Sequence, residues 1–268
     1  MAQTWRIVTY NTWKCGGLYR DRLNWMGQGL RTLAPDILCL QEAFDCPERD
    51  ADTARYLATM LGMEVEVLQA RQKPREFEQD RRMSRSNLAV LSKRPMRRGE
   101  DIKLPEHAED SDRWAMQATV SAGSGRRLRV VNTHLTHLRG EAGSLLRKSQ
   151  AEIVARLCES EATQTVILCG DFNDAWDSAS LSPLRTFNWL DAEDETPGGT
   201  YIGAYAIARP QARRIDHIQI NASASTDVKL ERRFPALNQP IGPDRAYPSD
   251  HAALVVDLKF NAARSEGM

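Results

Sequence analysis

The chain has 268 residues, 41% hydrophobic and 27% charged, enough for one large core. Thirty-six basic residues balance thirty-six acidic ones, which argues against a protein that works by bulk attraction to nucleic acid but leaves a local basic patch open. No apolar run reaches the length of a membrane span. The N-terminal stretch MAQTWRIVTYN shows no charged-then-apolar leader pattern. Five cysteines, in no CxxC or Cys/His spacing, exclude a zinc motif and point to a reducing, cytoplasmic setting.

In chain order, WRIVTY (5–10) reads as a strand. Leu23, Met26, Leu30 and Leu33 fall at helical spacing over 21–33. PDILCL (35–40) is a second, buried strand. Asp52 or Thr53 can start a helix that runs to Leu61 and ends at Gly62. MEVEVL alternates as a half-buried strand, and NLAVLS (87–92), WAMQATV (114–120), LRVVNTHL (128–135), TVILCG (165–170), RIDHIQI (214–220) and AALVVDL (252–258) continue the series. Residues 145–158 form the clearest long helix. The segments 114–120 and 126–134, joined by SAGSGR, pattern as an antiparallel hairpin. So many strands with so few helices do not fit a βαβ alternation. They predict an α+β fold, a four-layer α/β/β/α sandwich of two packed mixed sheets with helices on the outer faces. With no repeat, low-complexity tract or clear linker, the whole chain, 1–268, is expected to be a single catalytic domain.

The strands share a peculiarity: they end on polar residues. VTYNTW reaches Asn11, ILCLQE reaches Gln41 and Glu42, and VVNTHLTH carries Asn132, His134 and His137. In TVILCGDFND, Gly170 breaks the apolar run before Asp171, Asn173 and Asp174; RIDHIQI holds Asp216 and His217, and YPSDHAALVV holds Asp250 and His251. Each cluster alone has a plain structural use, as a turn, a cap or a surface pair. Buried carboxylates are costly unless paired, hydrogen-bonded or bound to metal, so together the clusters favour one convergent cleft. The chain offers no serine or cysteine nucleophile elbow and no Walker loop. Carboxylates with Asn and His, and no thiolate, suit a hard cation, Mg2+ or Mn2+. With an activated water, those are the parts of phosphoester hydrolysis.

In these strings, YNTW, LQE, NTHL, GDFN, RIDHI and SDH, taken in order from Asn11 to His251, the sequence resembles the endonuclease/exonuclease/phosphatase superfamily, the deoxyribonuclease I-like fold. The resemblance implies that Glu42 is the main metal-ligand carboxylate, with Asn11 beside it and Asp250 as a further metal-side carboxylate. It implies that Asp171 orients or deprotonates the attacking water, and that Asn173 holds the scissile phosphate or that water. His251, held by Asp216, would stabilise negative charge on a phosphate oxygen. His134 matches the family's second phosphate-contacting or acid histidine. His137 and His217 are given no part. Gly170 would supply the turn that points Asp171 and Asn173 into the cleft.

The NTHL histidine is more like the deoxyribonuclease, sphingomyelinase, deadenylase and phosphatase branches than the abasic-site endonucleases. Trp13 also stands where abasic-site enzymes commonly have an acid. The leading expectation is a metal-dependent phosphodiesterase acting on nucleic acid, as an endo- or exonuclease. The alternatives are a small-molecule or lipid-headgroup phosphoesterase, or a non-catalytic binder on the same fold. The partner is a phosphate-containing substrate. The segment 71–98 holds ten basic residues against Glu76, Glu78 and Asp80, and is expected to form a basic rim that binds a polyanion through Arg81, Arg82 and Arg85.

Overall fold

Along most of the strands, alternate side chains serve different layers, and this alternation builds the molecule. The computed structural model describes residues 3–123, 126–159, 165–190, 199–203, 213–222, 228–241 and 246–260. The first part of the chain forms strands Gln3–Asn11 (β1), Ile37–Cys46 (β2), Ala51–Asp52 (β3), Glu64–Leu68 (β4), Lys73–Phe77 (β5) and Asp80–Ser92 (β6), with helices Tyr19–Leu33 (α1) and Thr53–Leu61 (α2). The middle forms Met96–Arg98 (β7), Ile102–Lys103 (β8), Trp114–Gly123 (β9), Arg126–His134 (β10), Thr165–Asp171 (β11) and Asp216–Asn221 (β12), with helix Gly140–Leu157 (α3). Two last strands, Val228–Ala236 (β13) and Ala253–Phe260 (β14), return to the first sheet, whose order is β13-β14-β1-β2-β6-β4. The second sheet runs β12-β11-β10-β9-β7. Each sheet is mixed, with one parallel pair, β1–β2 and β10–β11.

Trp5, Ile7, Ile37, Cys39, Val256 and Leu258 of the first sheet pack against Val120, Leu128, Val130, Ile167 and Ile218 of the second. Their neighbours one position on, Val8, Tyr10, Leu38, Leu40 and Val255, face outward onto Leu23, Met26 and Leu30 of α1 and Leu57 of α2. Val131, Val166 and Leu168 do the same toward Ala151 and Val154 of α3. A period of two along each strand thus fixes four layers, the expected α/β/β/α sandwich. Asp52 caps α2 by accepting from Arg55 N at 2.9 Å, and Gly62 ends it in the left-handed region at φ 63°.

The strand at 165–170 does not stop at Gly170. It runs on to Asp171, with Gly170 paired to His217 and Asp171 to Asp216. Gly170 is required for another reason: at φ 149°, a Cβ there would lie 2.0 Å from the Thr133 carbonyl oxygen. The predicted hairpin 114–120/126–134 is the antiparallel pair β9–β10; of its turn, residues 124 and 125 lie outside the described residues. Among the described residues no helix is long and apolar enough to cross a membrane.

Candidate active site

The carboxyl ends of the two parallel pairs meet at one edge of the sandwich. In the second sheet, three neighbouring strands bring their polar residues into register: His134 of β10 is opposite Asp171 of β11, which is opposite Asp216 of β12. In the first sheet Asn11 of β1 is opposite Gln41 of β2. A bulge in β2 between Leu40 and Ala43, with Glu42 at φ 56°, breaks the alternation there. Asp250 and His251 lie just before β14. Beneath this edge the layer between the sheets becomes polar. Gln41 Nε2 donates to Asn132 Oδ1 at 2.7 Å, and Asn132 Nδ2 donates to the Leu40 and Ala89 carbonyls at 3.0 Å, tying sheet to sheet.

The resulting cleft holds about 380 Å³ and is lined by Asn11, Glu42, His134, Asp171, Asn173, Asp250 and His251 from the predicted set. Asp216 lies beneath them, fully buried, with its Oδ2 2.8 Å from His251 Nδ1. Asp171 is the hub. Its Oδ2 accepts from Asn11 Nδ2 at 2.9 Å and lies 3.3 Å from His134 Nε2 and 3.8 Å from His251 Nε2; its Oδ1 accepts from Asn173 N at 2.9 Å. Asn173 Nδ2 donates to the Leu135 carbonyl at 3.0 Å.

Electrostatics divide these groups. Burial opposes a charge on His251, but the Asp216 carboxylate overrides it and raises His251 to about 10, so the ring is a cation that donates Nδ1–H to Asp216. Burial, then Arg113 and Arg71, push His134 well below the usual imidazole range, so the two histidines differ in charge. Burial, then the neighbouring Asp216, raise Asp171 above the usual carboxylate range. Burial raises Asp250 to about 6, with Glu42 adding to the effect. Burial also works against Glu42, yet Lys14 beside it holds its carboxyl below the usual range.

Glu42 and Asp250 both line the cleft close enough to repel each other, with Lys14 pairing Glu42. Two mutually repelling carboxylates with the amide oxygen of Asn11 nearby are a hard, oxygen-only donor set that a divalent cation fits. Donor atoms of Asp171, Asp216 and His251 also lie within 4.8 Å of one another. A protonated His251 has no free lone pair for a metal, so the Glu42–Asp250 side fits the cation better.

The structure does not bring Arg81, Arg82 and Arg85 to the cleft. Arg85 pairs with Asp45 at 2.9 Å, and Arg82 with Asp80 and, at 3.3 Å, Glu48. Arg81 stands opposite Glu76 in the β5–β6 hairpin. Arg82 and Arg85 thus meet acids of the hairpin itself, of the β2–β3 connection and of β2. The basic lining of the cleft comes instead from Lys14, Arg71, Arg113 and Arg139, with His137 beside them. Only Arg71 belongs to the segment expected to form the rim. Fully buried Asp110 holds this wall: it pairs bidentately with Arg113, takes Arg71, and accepts from Thr136 Oγ1 at 2.6 Å. His217, buried on the other face of β12, contacts the Asp174 carbonyl at 3.0 Å and packs against Phe172 and Trp176.

Two packed mixed sheets, with carboxylates, amides and histidines gathered at their joint edge, define the fold and the candidate site. A sequence model of the endonuclease/exonuclease/phosphatase family matches residues 8–251, and the chain belongs to that family. It is 28% identical over 248 residues to Nocturnin of Xenopus laevis, a match covering 85% of this chain and 61% of the frog protein's length. Among solved structures it is similar in fold to D. rerio TDP2 complexed with single-strand DNA product, with TM-score 0.67, 19% identity, and 97% and 100% of the two chains covered. It is similar, too, to a mannosyl-6-phosphatase of Bacteroides thetaiotaomicron, with TM-score 0.69, 17% identity, and 95% and 99% covered.

Proposed function

We propose that this protein is a divalent-metal-dependent phosphodiesterase acting on nucleic acid. The observation that carries the reading is the division of the cleft into two chemically different sides. Asp171 is held by Asn11 and Asn173 and shares its Oδ2 face with a cationic His251 and a low-pKa His134. Glu42 and Asp250 stand on the other side.

Glu42, Asp250 and Asn11 would hold Mg2+ or Mn2+, which when bound supplies positive charge to phosphoryl oxygens and makes water easier to deprotonate. Asp171, raised toward neutrality by burial, takes the proton of the attacking water. Asn173, fixed through Leu135, leaves its second amide N–H for that water or for the phosphate. His251 donates Nε2–H to a phosphoryl oxygen as negative charge accumulates, and Asp216 keeps it protonated and oriented. His134 is a neutral hydrogen-bond partner of the same phosphoryl group. Lys14, Arg71, Arg113 and Arg139 supply the field that draws a polyanion into the cleft.

The family, and a similar fold that carries a single-strand DNA product, support nucleic acid as the substrate. A second reading, a phosphomonoesterase for a small phosphorylated metabolite, is favoured by the limited volume of the cleft, about 380 Å³, and by the fold shared with a sugar phosphatase. The deciding assay is a panel in Mg2+ or Mn2+: plasmid DNA, single-stranded DNA, RNA, bis-p-nitrophenyl phosphate, p-nitrophenyl phosphate and sphingomyelin. Cleavage of the nucleic acids and the diester, lost on chelation, is the expected pattern. Turnover of p-nitrophenyl phosphate alone would replace the first reading with the second.

A further inference from the structure

Arg22 sits in the first turns of α1, one turn past the loop that carries Trp13 and Lys14. Its side chain is among the largest that are fully buried in the molecule, at 1% exposure. A buried guanidinium ordinarily needs a carboxylate partner, but every hydrogen bond recorded for this one goes to a backbone carbonyl. Nε donates to Gly16 at 2.8 Å. Nη1 donates to Thr12 at 3.0 Å and to Pro248 at 2.8 Å. Nη2 donates to Trp13 at 3.3 Å and to Lys14 at 3.0 Å. A guanidinium has five N–H groups, and these bonds use all of them. The Trp13 ring lies 4.6 Å from the guanidinium carbon.

These acceptors belong to two segments that are remote in sequence. Four lie in residues 12–16, the loop after Asn11, in which Trp13 and Lys14 both adopt positive φ, 57° and 41°. L-residues favour that region only when held there. The fifth, Pro248, precedes Asp250 and His251 in the turn before β14. The residue that leads into that loop is tied to the same turn, by Ser249 Oγ donating to the Asn11 carbonyl at 2.7 Å. Lys14, Asn11, Asp250 and His251 all line the cleft; Arg22 does not. A plain helix-to-loop brace would need no bond to the far turn, and a well-packed apolar side chain would avoid the desolvation of a buried cation.

We infer that Arg22 is a positioning residue of the active site: its guanidinium pins the 12–16 loop to the 247–251 turn, and so sets the spacing between the Asn11–Lys14 side of the cleft and Asp250–His251. The role of these groups in turnover rests on the function proposed above; the clamp itself does not. Lysine is a poor substitute because its three donors radiate from one atom and cannot fork to two segments.

The test compares Arg22→Lys and the milder Ser249→Ala with wild type, using the full chain. Two quantities are read: hydrogen–deuterium exchange by peptide, and kcat and KM on whichever phosphoester the wild type cleaves, well below the melting temperature. Arg22→Lys should raise exchange in 12–16 and 247–251 while the strands stay protected. It should lower kcat about a hundredfold, as misplacement of reacting groups does, with KM within about threefold of wild type. Ser249→Ala should shift the same peptides and kcat in the same direction by less. Faster exchange with an unchanged kcat would make Arg22 a merely structural brace and overturn the inference. Unchanged exchange in the two segments would overturn it as well. If the wild type cleaves no phosphoester, the proposed function fails, while the exchange data still decide whether the clamp exists.

Discussion

The layer between the two sheets has two unlike ends made from the same strands. At one end Trp5 of β1 meets Phe260 of β14 edge to face, with ring centroids 6.0 Å apart, amid Val120, Leu128 and Leu230. At the other end β1 finishes on Asn11, β2 passes through the Gln41–Glu42 bulge, and the Gln41–Asn132 bond replaces hydrocarbon. The apolar end needs only volume and shape, so its residues could be exchanged for others of similar size at modest cost. The polar end depends on each group having a partner, because an unpaired buried donor or carboxylate costs more than a lost methylene. Stability is thereby concentrated at one end and chemistry at the other.

The largest expected effect is at the polar end. His251→Ala should lower turnover by roughly two to three powers of ten, the usual loss for a preorganised charge stabiliser. Asp216→Asn should cost less and move the basic limb of the pH–rate profile to lower pH, because the carboxylate that raises His251 to about 10 is gone. The double variant should be no slower than His251→Ala alone. Losses that multiply would show two independent residues rather than a unit.

At the apolar end, Trp5→Ala should remove about 3–5 kcal/mol of stability, the range for large aromatic deletions from a core. Below the new transition the kcat should stay within twofold of wild type. Chemical denaturation and steady-state assays measure both, and a kcat that falls with stability would mean that the two ends are not separable.

Asp216 and His217 sharpen the contrast within one strand. Asp216 faces the cleft side and His217 the opposite face, against Phe172 and Trp176. Burial holds His217 down at about 4, against an ordinary value of about 6.5. Its neutral form is favoured in the folded state, so its contribution to stability is complete above about 6.5 and is lost as the pH falls through about 4. The shift corresponds to about 3 kcal/mol. His217→Gln should flatten that acid limb in denaturation curves taken across this range. A limb of unchanged depth would assign the acid loss to other groups.

The smallest effect is expected in the β5–β6 hairpin. Changing Arg81, Arg82 and Arg85 together to Glu should alter KM for a nucleic acid by less than about threefold, because none of them lines the cleft and Arg82 and Arg85 are already paired. Arg113→Ala, in the cleft, should alter it far more. The reverse ranking in salt-titrated kinetics would restore the hairpin as the substrate-binding surface.

Much of this architecture was legible in the sequence because local chemistry dictates it. Short apolar runs located β1, β2, β6, β9, β10, β11, β12 and β14, alternation located β4, and Asp52 and Gly62 marked both ends of α2. The polar strand ends were legible because they interrupt apolar runs; the family resemblance then singled out Asn11, Glu42, His134, Asp171, Asn173, Asp216, Asp250 and His251 among them. β5 was missed because KPREF neither alternates nor excludes proline, and β13 because VKLERRFPA is interrupted by charges and a bulge. The strand at 87–92 proved to begin at Asp80, since its hairpin half pairs with β5 rather than with the core. Lys14, Arg71, Arg113 and Arg139 carried no local signal. Lys14 reaches Glu42 from a loop in an unusual backbone conformation, and Arg71 and Arg113 acquire their position from Asp110, a residue with nothing in its sequence context to mark it. Arg71 lies in a segment whose charge was visible, but which of its cations stay paired is set by tertiary contacts.

The central claim is that Glu42 and Asp250 hold the cation while the Asp171–Asp216–His251 group works on the phosphate side. Anomalous diffraction from crystals grown with Mn2+ tests it most directly. The account predicts a manganese peak bound by the Glu42 and Asp250 carboxylates, with His251 still paired to Asp216. A peak bound instead by Asp171, Asp216 and His251, with none at Glu42, would contradict it.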